Sequence, residues 1–168
     1  RTEVIYLRNW NLRAKEVAYL LNPAFCGRLL HSCIKTYNEV TKRAFPFPLI
    51  YLILPLILHK KTRECISSRT QLIIWQQRYP ELLIGFAERT KDMVQITNEA
   101  MELLLQSGVV LLTNAAELEI SQTIRPLSKT KYVNDEIKDC LNKSEHVAKW
   151  FAAAGKVETV YVSLGVRP

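Results

Sequence analysis

The chain has 168 residues, of which 48% are apolar and 23% charged, a composition typical of one soluble domain with a hydrophobic core. Five glycines, seven prolines and no fixed-period repeat exclude collagen, solenoids and low-complexity tracts. The net charge of +7 is uneven, because residues 1 to 80 hold thirteen Lys and Arg against four Asp and Glu, whereas residues 81 to 168 hold ten against twelve. We expect a positive surface on the amino-terminal half, suited to a phosphate backbone, an acidic protein or a membrane surface.

The first elements along the chain are predicted to be helices. Residues 13 to 21 predict a short amphipathic helix, which Asn22 and Pro23 end while they begin the next one. From Pro23 to Lys42 apolar residues recur at steps of three and four, which predicts a helix with one buried face. The opposite face carries cations seven residues apart, at Arg28, Lys35 and Lys42, with His31 beside them.

An uncharged run of fifteen residues, AFPFPLIYLILPLIL (Ala44 to Leu58), follows. A membrane span needs about twenty apolar residues, and three prolines interrupt this run, so it predicts a buried core segment. The cations on either side of it leave contact with a membrane interface as the alternative. His59 to Arg63 is predicted to return to solvent. No secretory signal is expected, since Val4 to Leu7 is followed at once by Arg8.

The later elements change from helical to extended periodicity. A helix of about ten residues is predicted around Leu72 to Trp75, and a long helix from Glu81 to Ser107 that Gly108 ends. Two short strands around a turn then predict a hairpin, Val109 to Thr113 and Glu117 to Ile120, in the outline of a winged-helix element. A basic connection spans residues 123 to 132. The chain closes with a helix from Asn134 to Gly155 and a strand from Val157 to Leu164 that could pair with the hairpin.

These elements predict one domain over residues 1–168, mainly α in an α+β arrangement. Its helical part covers residues 1–107, and residues 108–168 supply a small antiparallel sheet with one more helix. The predicted sheet contains the hairpin and the C-terminal strand.

Catalytic and cofactor motifs are not found in the sequence. There is no phosphate-binding glycine loop, no HExxH and no GxSxG, so we expect no cofactor and no enzymatic activity. The acidic residues of the long helix have the spacing of a solvated face, and the three histidines are far apart in sequence, so no metal site is predicted. The four cysteines form no CxxC pair, which favours reduced thiols in a cytoplasmic protein, and Cys33 is predicted to be an inert core thiol.

Basic residues are therefore the main candidates for function. They form the helical row and a second cluster after the apolar run, and together they predict a surface for DNA or for an acidic partner: Arg28, Lys35, Lys42, Arg43, Lys60, Lys61 and Arg63. The alternative interpretation is a solvated face that keeps the protein soluble.

Four strings in the sequence carry a family resemblance. They are EVAYLLNPAFCGRLL (Glu16 to Leu30), LPLILHKKTR (Leu54 to Arg63), WFAAAG (Trp150 to Gly155) and LGVRP (Leu164 to Pro168). The chain resembles, over nearly its whole length, the middle components of three-component ABC/SMC-type conflict systems, which include the Lamassu anti-phage and anti-plasmid operons.

The resemblance implies a non-catalytic adaptor that bridges an SMC-like ATPase and an effector, often a nuclease, with DNA reached through the complex. The surface expected to dock partners is formed by Trp10, Trp150, Phe151, Tyr161 and Leu164. Two other functions stay open: a free-standing winged-helix DNA-binding regulator, and the effector nuclease itself.

Overall fold

The computed structural model describes residues 22–123 and 135–167. The protein is mainly α-helical with a small antiparallel sheet, which confirms the predicted fold class. The helices of the described part are α1 Pro23–Thr41, α2 Ile50–Ile57, α3 Lys60–Cys65, α4 Leu72–Arg78, α5 Phe86–Asp92, α6 Val94–Gln106, α7 Asp135–Ala154 and α8 Val157–Ser163. The strands are β1 Phe45–Pro46, β2 Val110–Leu112 and β3 Glu117–Ile120.

Helix α1 forms where the periodicity predicts it. The Asn22 side chain accepts a hydrogen bond of 2.8 Å from the backbone N–H of Ala24, and Pro23 occupies the first helical position. The apolar face from Phe25 to Tyr37 is buried against α6 and α7. The helix ends at Lys42, which adopts the left-handed conformation at φ 57°. The helix predicted before Asn22 lies outside the described residues.

The apolar run is the centre of the core, as predicted. A single 3-10 turn, Phe47–Leu49, leads into α2, whose residues from Leu52 to Ile57 are all buried. Helix α2 contacts α1, α5, α6 and α7, so protein surrounds the segment and the membrane-interface alternative is not supported. Within the described ranges, no helix is both long and apolar enough to cross a bilayer.

The long helix predicted from Glu81 to Ser107 is wrong, because the chain breaks twice. Residues Pro80–Leu83 form a 3-10 turn, and Gly85 adopts the left-handed conformation at φ 75° directly before α5 begins. A second break at Met93, with φ −99° and ψ 3°, separates α5 from α6. Gly108 does end α6, at φ 76°, as predicted.

The predicted hairpin is confirmed. Strands β2 and β3 pair with Leu111 opposite Glu119, and the connecting turn places Ala116 at φ 56°. The third strand is β1, which pairs with β3 through Phe45 opposite Leu118 and gives the sheet order β1-β3-β2. Beyond the end of β1, the Asn38 side chain continues this pairing, because its amide contacts Leu118 O at 3.3 Å and Ile120 N at 3.0 Å.

The predicted C-terminal strand is wrong, because residues Val157–Ser163 form helix α8. Val160, Tyr161 and Leu164 are buried at helical spacing, so a period of 3.6 determines this short segment although its β-branched residues favour a strand. The sheet takes its third strand from the segment after α1 instead, and the winged-helix outline is not confirmed. Helix α7 matches its prediction and ends before Gly155 at φ 79°, whereas the proposed cap Asn134 lies outside the described residues.

Candidate functional surfaces

The basic face of α1 is partly exposed. Arg28 and Lys35 are half-buried, and Lys42 and Arg43 at the end of the helix are exposed. His31 is buried instead, and burial, followed by the charges of Lys35 and Arg28, lowers the pKa of its imidazole. The structure therefore keeps four of these cations in contact with solvent and removes the histidine between them.

The second basic cluster divides into two environments. Lys60 and Lys61 are exposed on α3, and Lys60 lies 4.0 Å from Glu64, a contact that contributes little at a surface. Arg63 is only 2% exposed, which corrects its assignment to the surface for DNA or an acidic partner. After the apolar run, the side chains of Lys60 and Lys61 are exposed as predicted, but the side chain of Arg63 is buried.

Arg63 is held by three directed contacts. Its Nε donates to Asp139 Oδ2 at 3.1 Å and its Nη2 to Glu136 Oε1 at 2.8 Å, both on α7. Its Nη1 donates to the carbonyl of Ile57 at 2.9 Å, at the end of α2. The buried guanidinium thus pairs with two carboxylates and also satisfies a terminal helix carbonyl.

Lys143 on α7 also combines contacts to helix carbonyls with a carboxylate partner. Its Nζ donates to the carbonyls of Arg63 at 3.2 Å and Ile66 at 2.7 Å, at the end of α3, and lies 3.8 Å from Asp139 Oδ1. We name Arg63, Glu136, Asp139 and Lys143 the ion-pair network. Sequence analysis missed it, although the α7 residues recur at steps of three and four on one helical face.

Two further basic side chains, those of His59 and Arg89, lie close to the hydroxyl of Thr62, which is fully buried. His59 Nδ1 lies 2.7 Å from Thr62 Oγ1, and Arg89 Nη2 on α5 approaches the same oxygen at 3.5 Å. The guanidinium of Arg89 also lies over the Phe86 ring, 5.4 Å from its centroid. Burial lowers the pKa of Arg89, and burial followed by the charges of Arg89, Lys61 and Arg63 lowers the pKa of His59.

The predicted docking residues lie in the core. Trp150, Phe151, Tyr161 and Leu164 are each at most 5% exposed, which corrects their assignment as an exposed interface. The Trp150 ring packs 5.2 Å from that of Trp75, and its indole N–H donates to the Thr70 carbonyl. The Tyr161 hydroxyl donates to the Pro48 carbonyl. These side chains stabilise the fold because their polar atoms are satisfied internally. Trp10 lies outside the described residues.

Other apolar side chains are exposed. On the hairpin, Leu111 is 47% and Leu112 is 53% exposed, and Leu103 on the adjoining helix α6 is 46% exposed. Strand β2 forms one edge of the described sheet. Exposed leucines beside a strand edge are a site where another chain can pack. Other large exposed apolar residues in the described ranges are Val40, Ile73, Ile74, Ile84, Val94 and Val162.

An open cavity of about 570 Å³ lies between α2, α5 and the segment after α8. Tyr51 and Tyr161 contribute rings to its lining, and Glu88, Lys91 and Arg167 contribute charges of both signs. The Tyr51 hydroxyl is already used, because it donates to Asn98 Oδ1 at 2.7 Å. The lining shows no convergence of like groups that would select a particular ligand.

Three of the four cysteines are buried, and Cys65 is partly buried. Burial raises the pKa of Cys33 far above its usual value, and mainly burial raises that of Cys140 to about 11, so neither is a thiolate at neutral pH. The four cysteines form no disulfide. Within residues 22–123 and 135–167, no three His, Cys, Asp or Glu side chains come together as metal ligands.

Comparison with known proteins identifies the family of the chain. The sequence model of a family described as ABC-three component (ABC-3C) system Middle Component 3 matches residues 10–168. No curated protein and no solved structure matches the chain significantly.

Proposed function

We propose that this chain, which belongs to the Middle Component 3 family of ABC-three component systems, is a non-catalytic adaptor that bridges an SMC-like ATPase and an effector. Membership makes it one component among several and implies partner subunits. The proposal adds that the system is a Lamassu-type defence complex of the cytoplasm and that the effector is a nuclease. It also adds that the complex, rather than this chain alone, engages DNA.

The observation that carries the adaptor proposal is the exposed edge of the hairpin. Thr113 N donates to Glu117 O, and Ser121 N donates to Val109 O. Because hydrogen-bonded positions alternate along an antiparallel strand, the backbone groups of Val110 and Leu112 point away from β3. Leu111 and Leu112 add exposed apolar area at the same edge. An extended segment of a partner subunit could pair with β2 and cover both leucines.

The basic face of α1 supports the proposed contact with DNA. Among the described residues, Lys35, Lys42 and Arg43 have no carboxylate within ion-pair distance. Their cations are therefore available to phosphates, with the sequence-independent and salt-sensitive binding that such contacts give. We propose that this face lies towards DNA held by the ATPase.

The test is co-purification with the neighbouring subunits of the operon. The tagged chain is expressed with them, and the complex is resolved by size exclusion in high salt, which weakens purely ionic contacts. We expect a large coiled-coil ATPase and an effector to elute with the chain. Leu111→Asp with Leu112→Asp should remove at least one of these partners. Val162→Asp is the matched control, because Val162 is 78% exposed on α8, outside the hairpin edge.

One outcome would overturn the hairpin edge as the interface, and another would overturn the adaptor proposal itself. In the first, the double variant, shown to be folded by its unfolding temperature, keeps every partner, and the hairpin edge is not the interface. In the second, the chain elutes alone and binds duplex DNA at low salt, and the free-standing DNA-binding regulator becomes the better explanation.

A further inference from the structure

We propose that Arg89, Lys61 and His59 form a binding site for a phosphate group, separate from the hairpin edge. The three side chains come from the start of α3, including the residue before it, and from α5. The site is independent of the adaptor proposal, so each can fail without the other.

The strongest feature of the site is the partly buried guanidinium of Arg89. Its Nε has no contact with solvent and no hydrogen-bond acceptor. Among the described residues, the guanidinium makes one hydrogen-bond contact, from Nη2 to Thr62 Oγ1. The distance of 3.5 Å is at the limit of a hydrogen bond. A partly buried guanidinium whose Nε lacks an acceptor is stabilised when an anion binds to it.

Arg63 provides an internal comparison. Arg63 is also buried and close to Thr62 in sequence, but Glu136 and Asp139 neutralise it at 2.8 and 3.1 Å. Arg89 has no carboxylate within 4.0 Å in the described part of the chain. The described part of the chain therefore supplies counter-ions to Arg63 and none to Arg89, and we assign that role at Arg89 to an external ligand.

His59 adds a donor to the site through Thr62. If Arg89 donates to Thr62 Oγ1, the hydroxyl proton of Thr62 is directed to His59 Nδ1, 2.7 Å away. A neutral imidazole that accepts at Nδ1 carries its proton at Nε2 and is a hydrogen-bond donor there. The lowered pKa of His59 agrees with this neutral form.

The charge balance favours phosphate over a single carboxylate. The charge of Arg63 is neutralised internally, so Arg89 and the exposed Lys61 supply two positive charges that no described carboxylate offsets. A phosphate group carries up to two negative charges and three acceptor oxygens, which suits one guanidinium, one ammonium and one imidazole N–H. A free phosphate and a phosphomonoester share this chemistry, whereas each phosphate of a nucleic-acid backbone offers one negative charge and two terminal oxygens to the same donors.

The experiment titrates the full chain with inorganic phosphate at constant ionic strength, by calorimetry and by the nitrogen chemical shifts of His59. We expect saturable binding in the wild-type protein and a shift at His59 Nε2. Arg89→Gln should weaken binding by about tenfold or more, and Lys61→Gln by a smaller factor. Lys60→Gln is the matched control, because the neighbouring Lys60 is already close to Glu64 and should leave binding unchanged within about twofold.

Further probes identify the source of the phosphate group. Tighter binding of a nucleoside monophosphate than of inorganic phosphate assigns the site to a small ligand, and tighter binding of a short DNA duplex assigns it to a nucleic-acid backbone. No saturable phosphate binding, or equal binding by wild type and Arg89→Gln, overturns the proposal. Tighter binding of succinate than of phosphate also overturns it, in favour of a partner's carboxylate. If Arg89→Gln does not fold, the pair Lys61→Gln and Lys60→Gln carries the test.

Discussion

Helices α1 and α3 both carry rows of cations. The row at α1 remains in contact with solvent, whereas Arg63 of the α3 row is buried. Lys35, Lys42 and Arg43 at α1 remain in contact with solvent and have no carboxylate partner among the described residues. At α3, Arg63 turns into the core, where α7 supplies Glu136 and Asp139. Basic residues in a sequence predict a surface only where no distant acidic residue folds onto them.

The difference has a physical cause at the helix ends. The short helices α2 and α3 leave carbonyl groups unsatisfied near the core, and Arg63 and Lys143 donate to them. Helix α1 ends at the surface with a left-handed residue that closes its last turn instead. Arg63 of α3 is therefore structural, whereas Lys35, Lys42 and Arg43 at α1 are available for binding.

The largest expected effect is that of Arg63→Met. The change removes a donor to Ile57 O, removes the ion-pair partner of Glu136 and leaves Asp139 with Lys143 as its remaining partner, so we expect a loss of about 3 kcal/mol in the free energy of unfolding. The two carboxylates are partly exposed, which keeps the loss at the low end of the range for a broken buried pair. Urea unfolding measures it. Lys61→Met on the same helix is the control and should change stability by less than about 0.5 kcal/mol.

A smaller loss is expected for Lys143→Met. The carbonyls of Arg63 and Ile66 would lose a charged donor, which costs about 1.5 kcal/mol by the same measurement. Lys138, exposed on the same helix α7, provides the control Lys138→Met. Equal stability of the two variants would show that Lys143 is not needed at the end of α3.

At α1 the expected effect has the opposite sign. Lys42→Gly should stabilise the protein by about 0.5 to 1 kcal/mol, because a β-carbon is strained at φ 57° and glycine is not. Arg43→Gly is the control: Arg43 is not in the left-handed region, so the added freedom of the unfolded chain should make that variant slightly less stable. A stability loss in Lys42→Gly would argue against the left-handed cap.

A further effect is a pH dependence of stability at the buried face of α1. Because the pKa of His31 is lower in the folded protein than in the unfolded chain, the unfolded chain binds the proton more readily. Stability should fall as pH decreases below about 6.5, with a slope of at most about 1.4 kcal/mol per pH unit from this group. The loss ends below the lowered folded pKa. His59 and His146 shift in the same direction and add to the slope.

The contribution of His31 is isolated by urea unfolding at several pH values in wild type and His31→Gln. The variant should show a shallower dependence at pH values below about 6.5. An unchanged slope in His31→Gln would assign the pH dependence to the other histidines.

Local patterns predicted some elements well because neighbouring residues determine them. The cap at Asn22, the apolar face from Phe25 to Tyr37 and the hairpin at residues 109–120 follow from spacing and turn chemistry alone. The prediction of one long helix was wrong because the chain breaks at Gly85 and Met93. The prediction of a C-terminal strand was wrong because a segment of seven residues fits both the strand period of 2 and the helix period of 3.6. Packing decides in such cases, since the buried positions Val160, Tyr161 and Leu164 share one face only in a helix.

The candidate surfaces were less predictable than the fold. Spacing identified Lys42, Arg43, Lys60 and Lys61 as exposed cations, and the structure agrees. The aromatic residues predicted to contact partners are instead core residues, since an apolar side chain gives the same local pattern in a core and at an interface. The exposed leucines of β2 and the site at Arg89 involve pairings between distant residues that no local spacing reveals.

The sequence by itself determined the mainly helical class, the buried apolar run, the hairpin and membership of the middle-component family, because these depend on periodicity, turn residues and shared sequence. Tertiary structure alone decided which cations face solvent and which are buried. The reason is that α7 meets α3 across more than seventy residues of chain, and this meeting supplies carboxylates to Arg63 but none to Arg89. The contact between α7 and α3 determines how far each arginine is removed from water and whether a carboxylate pairs with it. The role of each arginine therefore follows from the fold.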